Sequence, residues 1–257
     1  YMYDNVVFFA PETEYFAKID YNDFLEFIDQ GGNVLVGASN NATDGLRDFA
    51  ESCGVEFDPA GSEVVDHFAH AKEQDQTLQH TAVISSHAVE NSVILPTYSA
   101  VDAEQKAVLY RGLGHAVDDS NVLVVKTLQG NPSTYSANPN ESIRDFPENA
   151  GSDTLLVSAI QGRNNARTVI SGSLDMFSND YFNAEGSSNR EFCADISAWA
   201  FGENGVLRFR DVTHHMSDGT PPDVILHEKE RPDLPVSLYP DPEIARNSLV
   251  YRIKDEL

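Results

Sequence analysis

Ser173 follows an apolar run, Asp175 stands two residues on, and His214-His215 lies further along; together these are the residue types of a nucleophile, an orienting carboxylate and a base. The spacing argues against that chemistry. A nucleophile elbow needs small residues on both sides of its serine, and in Ser171-Gly172-Ser173-Leu174-Asp175 an aspartate takes the place of the second glycine. The structural expectation is that Ser171 and Ser173 end a strand and cap the next turn, with Asp175 bonding orphan amides. Cys53 is a second candidate nucleophile, of the glutamine-amidotransferase kind, but its place at a helix tail disfavours a thiolate. A third set is Asp66-His67-Phe68-Ala69-His70 with His80, which sketches a metal site yet matches no fixed zinc pattern and reads as a polar loop. His214-His215 is weaker still, because neighbours on a strand face opposite ways. Gly112-Leu113-Gly114 lacks the third glycine of a dinucleotide loop. On these grounds no catalytic residue, metal or cofactor is assigned.

The elements that would position these residues are legible from periodicity and caps. Residues 6–10 read as a strand, Asp20 to Asp23 as the start of a helix stopped by Gly31-Gly32, and 34–38 as a continuous apolar strand, composing a βαβ unit. A helix over 43–53 with Leu46, Phe49 and Ala50 on one face follows, then an extended piece at 55–57. Between 58 and 121 short extended pieces at 81–84, 92–95 and 107–110 alternate with polar turns. Residues 122–128 fit either strand or helix, and 130–149, rich in Pro, Ser and Asn, read as a long surface loop. Residues 155–160 and 168–171 are joined by too few residues for a parallel crossover, so they should form an antiparallel pair. Asn189 is expected to cap a helix through 201 that buries Phe192, Ile196, Trp199 and Ala200. At the carboxyl ends of the parallel strands, Ser39, Asn40 and Ser173 would border the crevice where such sheets bind ligands.

Composition narrows the function classes. The formal charge of −24, from 17 basic against 41 acidic side chains, opposes binding to phosphate backbones or anionic lipid, so nucleic acid is not an expected partner. The two cysteines, Cys53 and Cys193, exclude a disulfide framework and are expected as buried free thiols rather than a bridge. No run approaches the roughly 18 apolar residues of a membrane span, and no signal segment opens the chain. Both ends read as cuts within a longer protein, and the closing Lys254-Asp255-Glu256-Leu257, formally a retention address, reads rather as a strand interrupted. Asn41 and Asn140 head glycosylation sequons, whereas Asn131 is blocked by Pro132. Residues 217–247 hold a Pro-rich, charged stretch expected as a linker.

Blocks along most of the chain resemble a known family. They are residues 3–9, 27–36, 53–57, Val65-Asp66-His67, 110–114, Ser133-Thr134-Tyr135-Ser136 and 161–183, of which Arg163-Asn164-Asn165-Ala166-Arg167 and Ser171-Gly172-Ser173-Leu174-Asp175 are the most distinctive. They are similar to the β, 48-kDa-type, subunit of the oligosaccharyltransferase of the endoplasmic reticulum. The resemblance implies an α/β fold with a doubly wound mixed sheet and helices on both faces, flavodoxin-like or glutamine-amidotransferase-like, of the type shared with an intraflagellar transport protein. It implies domains at 1–215, lacking the family's first strand and helix, and at 216–257, a linker with extra residues around 226–245 and the start of a β domain. It also implies the lumenal part of a single-pass type I membrane protein whose membrane contact lies outside this chain. The implied role is an accessory, non-catalytic subunit in N-glycosylation, acting in assembly, stability or substrate handling. Its partners would be other oligosaccharyltransferase subunits, with oligosaccharide or acceptor polypeptide as further candidates. The alternatives are a carbohydrate-binding module using the Ser39, Asn40 and Ser173 crevice, and a remnant hydrolase.

Overall fold

Alternation inside continuous apolar runs builds the centre of the molecule. In the computed structural model, which describes residues 3–14, 19–75, 78–142, 146–147 and 149–207, strands β1 (Asn5–Phe8) and β2 (Asn33–Gly37) are parallel, and helix α1 (Tyr21–Asp29) links them. Asp20 caps α1 by accepting the amides of Asn22 and Asp23, while the Asp23 carboxylate accepts the Asp20 amide, a reciprocal box that satisfies three otherwise orphan amides. Val34 and Val36 point to one face of the sheet, toward α1 and α2 (Asp44–Ser52), while Leu35 between them points to the other. Thr43 accepts the Leu46 amide at the start of α2.

Strands β11 (Leu155–Gln161) and β12 (Arg167–Ser171) form the expected antiparallel hairpin, and β12 lies parallel to β2. The sheet runs β1-β2-β12-β11 and continues, all antiparallel, through β9 (Val124–Gln129) with β6 (His87–Ala88), and through β8 (His115–Ala116) with β3 (Glu56–Phe57). This is a mixed α/β sheet with helices on both faces. The second face is covered by α5 (Asn189–Ala200), whose Phe192, Ile196, Trp199 and Ala200 are all buried in the larger core. Both thiols are free, Cys193 in that core and Cys53 at the end of α2.

Three expectations need correction, and the open choice at 122–128 is decided. Within 122–128, which fits either state by sequence, residues 124–128 are strand, because β9 completes the hydrogen bonds of β11, and Val122-Leu123 form the turn before it. Residues 92–95 are not extended; Asn91 accepts the amides of Val93 and Ile94 and turns the chain into the short helix α3 (Pro96–Ser99). The stretch 130–149 is not merely surface loop. It carries β10 (Tyr135–Ala137), paired antiparallel with β4 (Glu63–Val65), and turns inward before it, because the side chains of Asn131, Ser133 and the buried Thr134 find a buried carboxylate, Asp66. Finally, Asn189 is the first helical residue rather than a cap. Its side chain bonds both the N–H and the C=O of Leu109 on β7 (Val108–Tyr110), and β7 pairs with β5 (Val83–Ser85). The proposed boundary near 215, the linker and the terminal tetrapeptide lie outside the described residues.

His115 gives the core a pH dependence. Its ring is fully buried with Nε2 2.7 Å from Ser158 Oγ, and desolvation pushes its pKa down to about 3 from 6.5. Below 6.5 the unfolded chain binds a proton that the native ring refuses, so stability falls as pH falls toward 3. Between pH 7 and pH 5 this site should cost about 2 kcal/mol. Urea unfolding of the native chain and of His115→Gln at both pH values checks it; parallel losses in the two proteins would refute the assignment.

Candidate functional site

A crevice of about 490 Å³ opens at the carboxyl ends of the parallel strands. Ala10 follows β1, Ser39 and Asn40 follow β2, and Leu174 and Asp175 follow β12, so three neighbouring strands deliver their outgoing turns to one place. The far wall is Glu63 on β4, with Arg111 and Gly112 after β7. Glu12 and Thr13 complete the rim, and the exposed Asn41 is tied to Glu12 at 3.2 Å.

Two of the three residues expected at such a crevice line it, Ser39 and Asn40. Ser173 lies beneath it instead. It is fully buried, and its Oγ accepts the Met176 amide at 3.1 Å and the Arg111 amide at 3.4 Å, which leaves it a capping residue with no access to a reactant. Ser171 Oγ accepts the Ser173 amide and donates to the Ser173 carbonyl. Asp175, expected to bond amides, lines the crevice. His214 and His215 fall outside the described residues.

Sequence reading missed Glu63 and Arg111. Glu63 is 6% exposed and accepts a short hydrogen bond from Asn40 Nδ2, and its other oxygen lies 3.9 Å from Arg111 Nε. That second oxygen and Ser39 Oγ are both shielded from solvent without a hydrogen-bond partner, although they face the crevice walls. Three carboxylates, Glu12, Glu63 and Asp175, stand against one guanidinium in the lining. Such a lining repels anions and offers acceptors and a planar donor to hydroxyl groups. The signal available in the sequence was Arg111 inside the Tyr110-to-Gly114 block, a charge set among apolar and glycine residues.

The other chemistry-bearing residues scatter. Cys53 is half-buried, and desolvation with Asp29 nearby pushes its thiol up to about 12, so it is inert at neutral pH. Gly112 lies in the crevice wall and packs its backbone against the Gly172 carbonyl. Asn41 and Asn140 are exposed, Asn140 accepting a hydrogen bond from Gln79 at 3.0 Å. His70 and His80 do meet, joined by Asp75, which the sequence reading left out.

Residues 1–203 match the family model described as OST48, N-terminal domain. The chain belongs to that family. It is similar to the dolichyl-diphosphooligosaccharide–protein glycosyltransferase 48 kDa subunit of Danio rerio, 38% identical over 236 residues, covering 86% of this chain and 52% of the relative. The corresponding subunit of Drosophila melanogaster is 37% identical over 238 residues, covering 87% and 52%. That of Arabidopsis thaliana is 35% identical over 252 residues, covering 93% and 56%. The chain thus spans about half the length of the curated relatives it matches. The solved mmIFT52 N-terminal domain aligns with a TM-score of 0.54 at 16% identity over 80% of each chain, which identifies the fold alone. Among the described residues no helix is long and apolar enough to cross a membrane.

Proposed function

We propose that this chain is the lumenal amino-terminal domain of an accessory, non-catalytic oligosaccharyltransferase subunit, in a protein held by one membrane span outside the chain. Its task is assembly, stability or substrate handling within the complex that N-glycosylates proteins in the endoplasmic reticulum. The observation that carries the reading is the family match over residues 1–203 together with relatives named as subunits of that glycosyltransferase. The site chemistry supports the accessory role, since the serine best placed by sequence spends its oxygen on backbone amides. Mass spectrometry of the complex purified with full-length protein from membranes tests it. Recovery with other oligosaccharyltransferase subunits is expected, and a full-length protein recovered without them would refute the reading, as would transferase turnover by the purified chain.

A second reading, carbohydrate binding in the crevice, is favoured by Ser39 Oγ and Glu63 Oε2, both shielded and without a hydrogen bond, beside Asn40 and Arg111. Titration of high-mannose oligosaccharide should shift the amides around 39–40 and 111. Arg111→Ala should weaken that binding at least tenfold, about 1.4 kcal/mol. Unmoved amides would leave only the assembly role.

A further inference from the structure

The loop that follows β4 gathers imidazoles. One ligand atom from each of His70, Asp75 and His80 lies within 4.8 Å of the others, and the two rings stand 4.2 Å apart at 57°. Asp75 is 4% exposed, and the histidines are half-buried. The Nδ1 atoms of both His70 and His80 are shielded from solvent and have no hydrogen-bond partner. A shielded imidazole nitrogen left without a hydrogen bond costs on the order of 1–3 kcal/mol; His70 Nδ1 has none, and His80 Nδ1 has only the Asp75 carboxylate at 3.5 Å, so the pair needs an explanation beyond packing.

The backbone is built to bring them together. His70 bridges to Val83, Ala71 N–H donates to the Ala82 carbonyl, and Asp66 N–H donates to the His80 carbonyl, so the two ends of the loop are pinned side by side. His80 adopts φ +59° and Leu78 φ +57°, left-handed conformations that non-glycine residues hold at a cost. Asp75 Oδ2 accepts the His80 amide at 2.9 Å and lies 3.5 Å from His80 Nδ1. One carboxylate therefore fixes the turn and faces the ring it fixes. His67, its ring 5.0 Å from that of His80, is engaged by the Tyr135 hydroxyl at 2.8 Å, outside the trio.

We propose that His70, Asp75 and His80 form a binding site for a divalent first-row transition ion, zinc foremost. Two neutral imidazoles and one carboxylate are a borderline donor set suited to zinc, and three protein ligands leave the fourth tetrahedral position to water. Ligand atoms on such an ion stand roughly 3.3 Å apart, so the trio, already within 4.8 Å, needs to draw in by at most about 1.5 Å. The ion would clamp the loop that carries the exposed Phe68 and Leu78 onto β5. The strongly acidic surface would raise the local concentration of cations.

The test uses the whole chain, stripped with chelator and titrated with zinc chloride by calorimetry, and with cobalt(II) by visible absorption. One saturable zinc site is expected, with a melting temperature raised by roughly 5–10 °C at a hundredfold excess over Kd, and an intense tetrahedral cobalt band. His70→Ala and His80→Ala should each weaken zinc binding at least tenfold, whereas His87→Ala, on β6, should leave it unchanged. Absence of a saturable site, a cobalt spectrum no different from the aqueous ion, or affinity that survives the His70→Ala/His80→Ala double change would each overturn the proposal. The cobalt spectrum of the unaltered chain decides the matter even where a variant fails to fold.

Discussion

Gly172→Ala is expected to lower the melting temperature by roughly 10 °C, a loss of about 3 kcal/mol. A Cβ at Gly172 would collide with the Leu113 carbonyl and the Tyr110 hydroxyl, and one at Gly112 with the Gly172 carbonyl. Neither obstacle can swing aside. The Tyr110 hydroxyl donates to the Leu113 carbonyl at 2.5 Å, and Leu113 N–H donates to the Gly172 carbonyl at 3.0 Å, so the two segments cross backbone on backbone. Three positions separate the causes. Gly186 has φ +73° and open space around it, so alanine there incurs conformational strain alone, about 1 kcal/mol. Gly172 incurs the collision alone, and Gly112, at φ +154°, incurs both. Thermal unfolding should therefore rank Gly186→Ala above Gly172→Ala above Gly112→Ala. A Gly172→Ala protein melting within about 2 °C of the native chain would refute the crossing as a rigid contact.

That crossing explains why two separated sequence blocks are both so distinctive. The 110–114 and 171–175 blocks contain small residues because each is the other's packing surface, and their partnership cannot be read from either alone. The elements that were legible depended on local signals: Asp20 and Thr43 as caps, the apolar run before Gly37, and the short connection between β11 and β12. What escaped depended on partners distant in sequence. Residues 124–128 became strand because β11 had open hydrogen bonds on that side, and Asn189 left its capping role because Leu109 presented both a donor and an acceptor. The candidate crevice divides the same way. Ser39 and Asn40 followed from the rule that strand ends hold ligands, whereas Glu63 and Arg111 come from chain segments whose folding no periodicity announced. Asp75 was passed over because a lone aspartate in a polar loop looks like solvated surface, and only the closed turn brings it beneath two imidazoles.

Asp66 holds the least legible region together, and Asp66→Ala should cost about 3–5 kcal/mol. The residue is fully buried and accepts from five donors: the amides of Phe68 and Ala69, each at 2.9 Å, and the side chains of Asn131, Ser133 and Thr134. Burial alone would push its pKa up, yet these hydrogen bonds together outweigh burial and hold it below the ordinary carboxylate value. It therefore stays ionised at neutral pH, a charge solvated by protein dipoles in place of water. Alanine strands all five donors around a small void. Asparagine keeps the oxygen that serves the two amides but turns an N–H toward Asn131, which has only donors to offer there; the two hydroxyls can rotate to accept, so about half the loss is expected. Urea unfolding gives the totals. Hydrogen exchange locates them, with the Phe68 and Ala69 amides and the β4–β10 pairing losing protection in the alanine protein, and the β2–β12 ladder keeping its own below global unfolding. Uniform loss of protection across both sheets would mean that Asp66 supports the whole core rather than the knot where residues 66–69 meet 131–134.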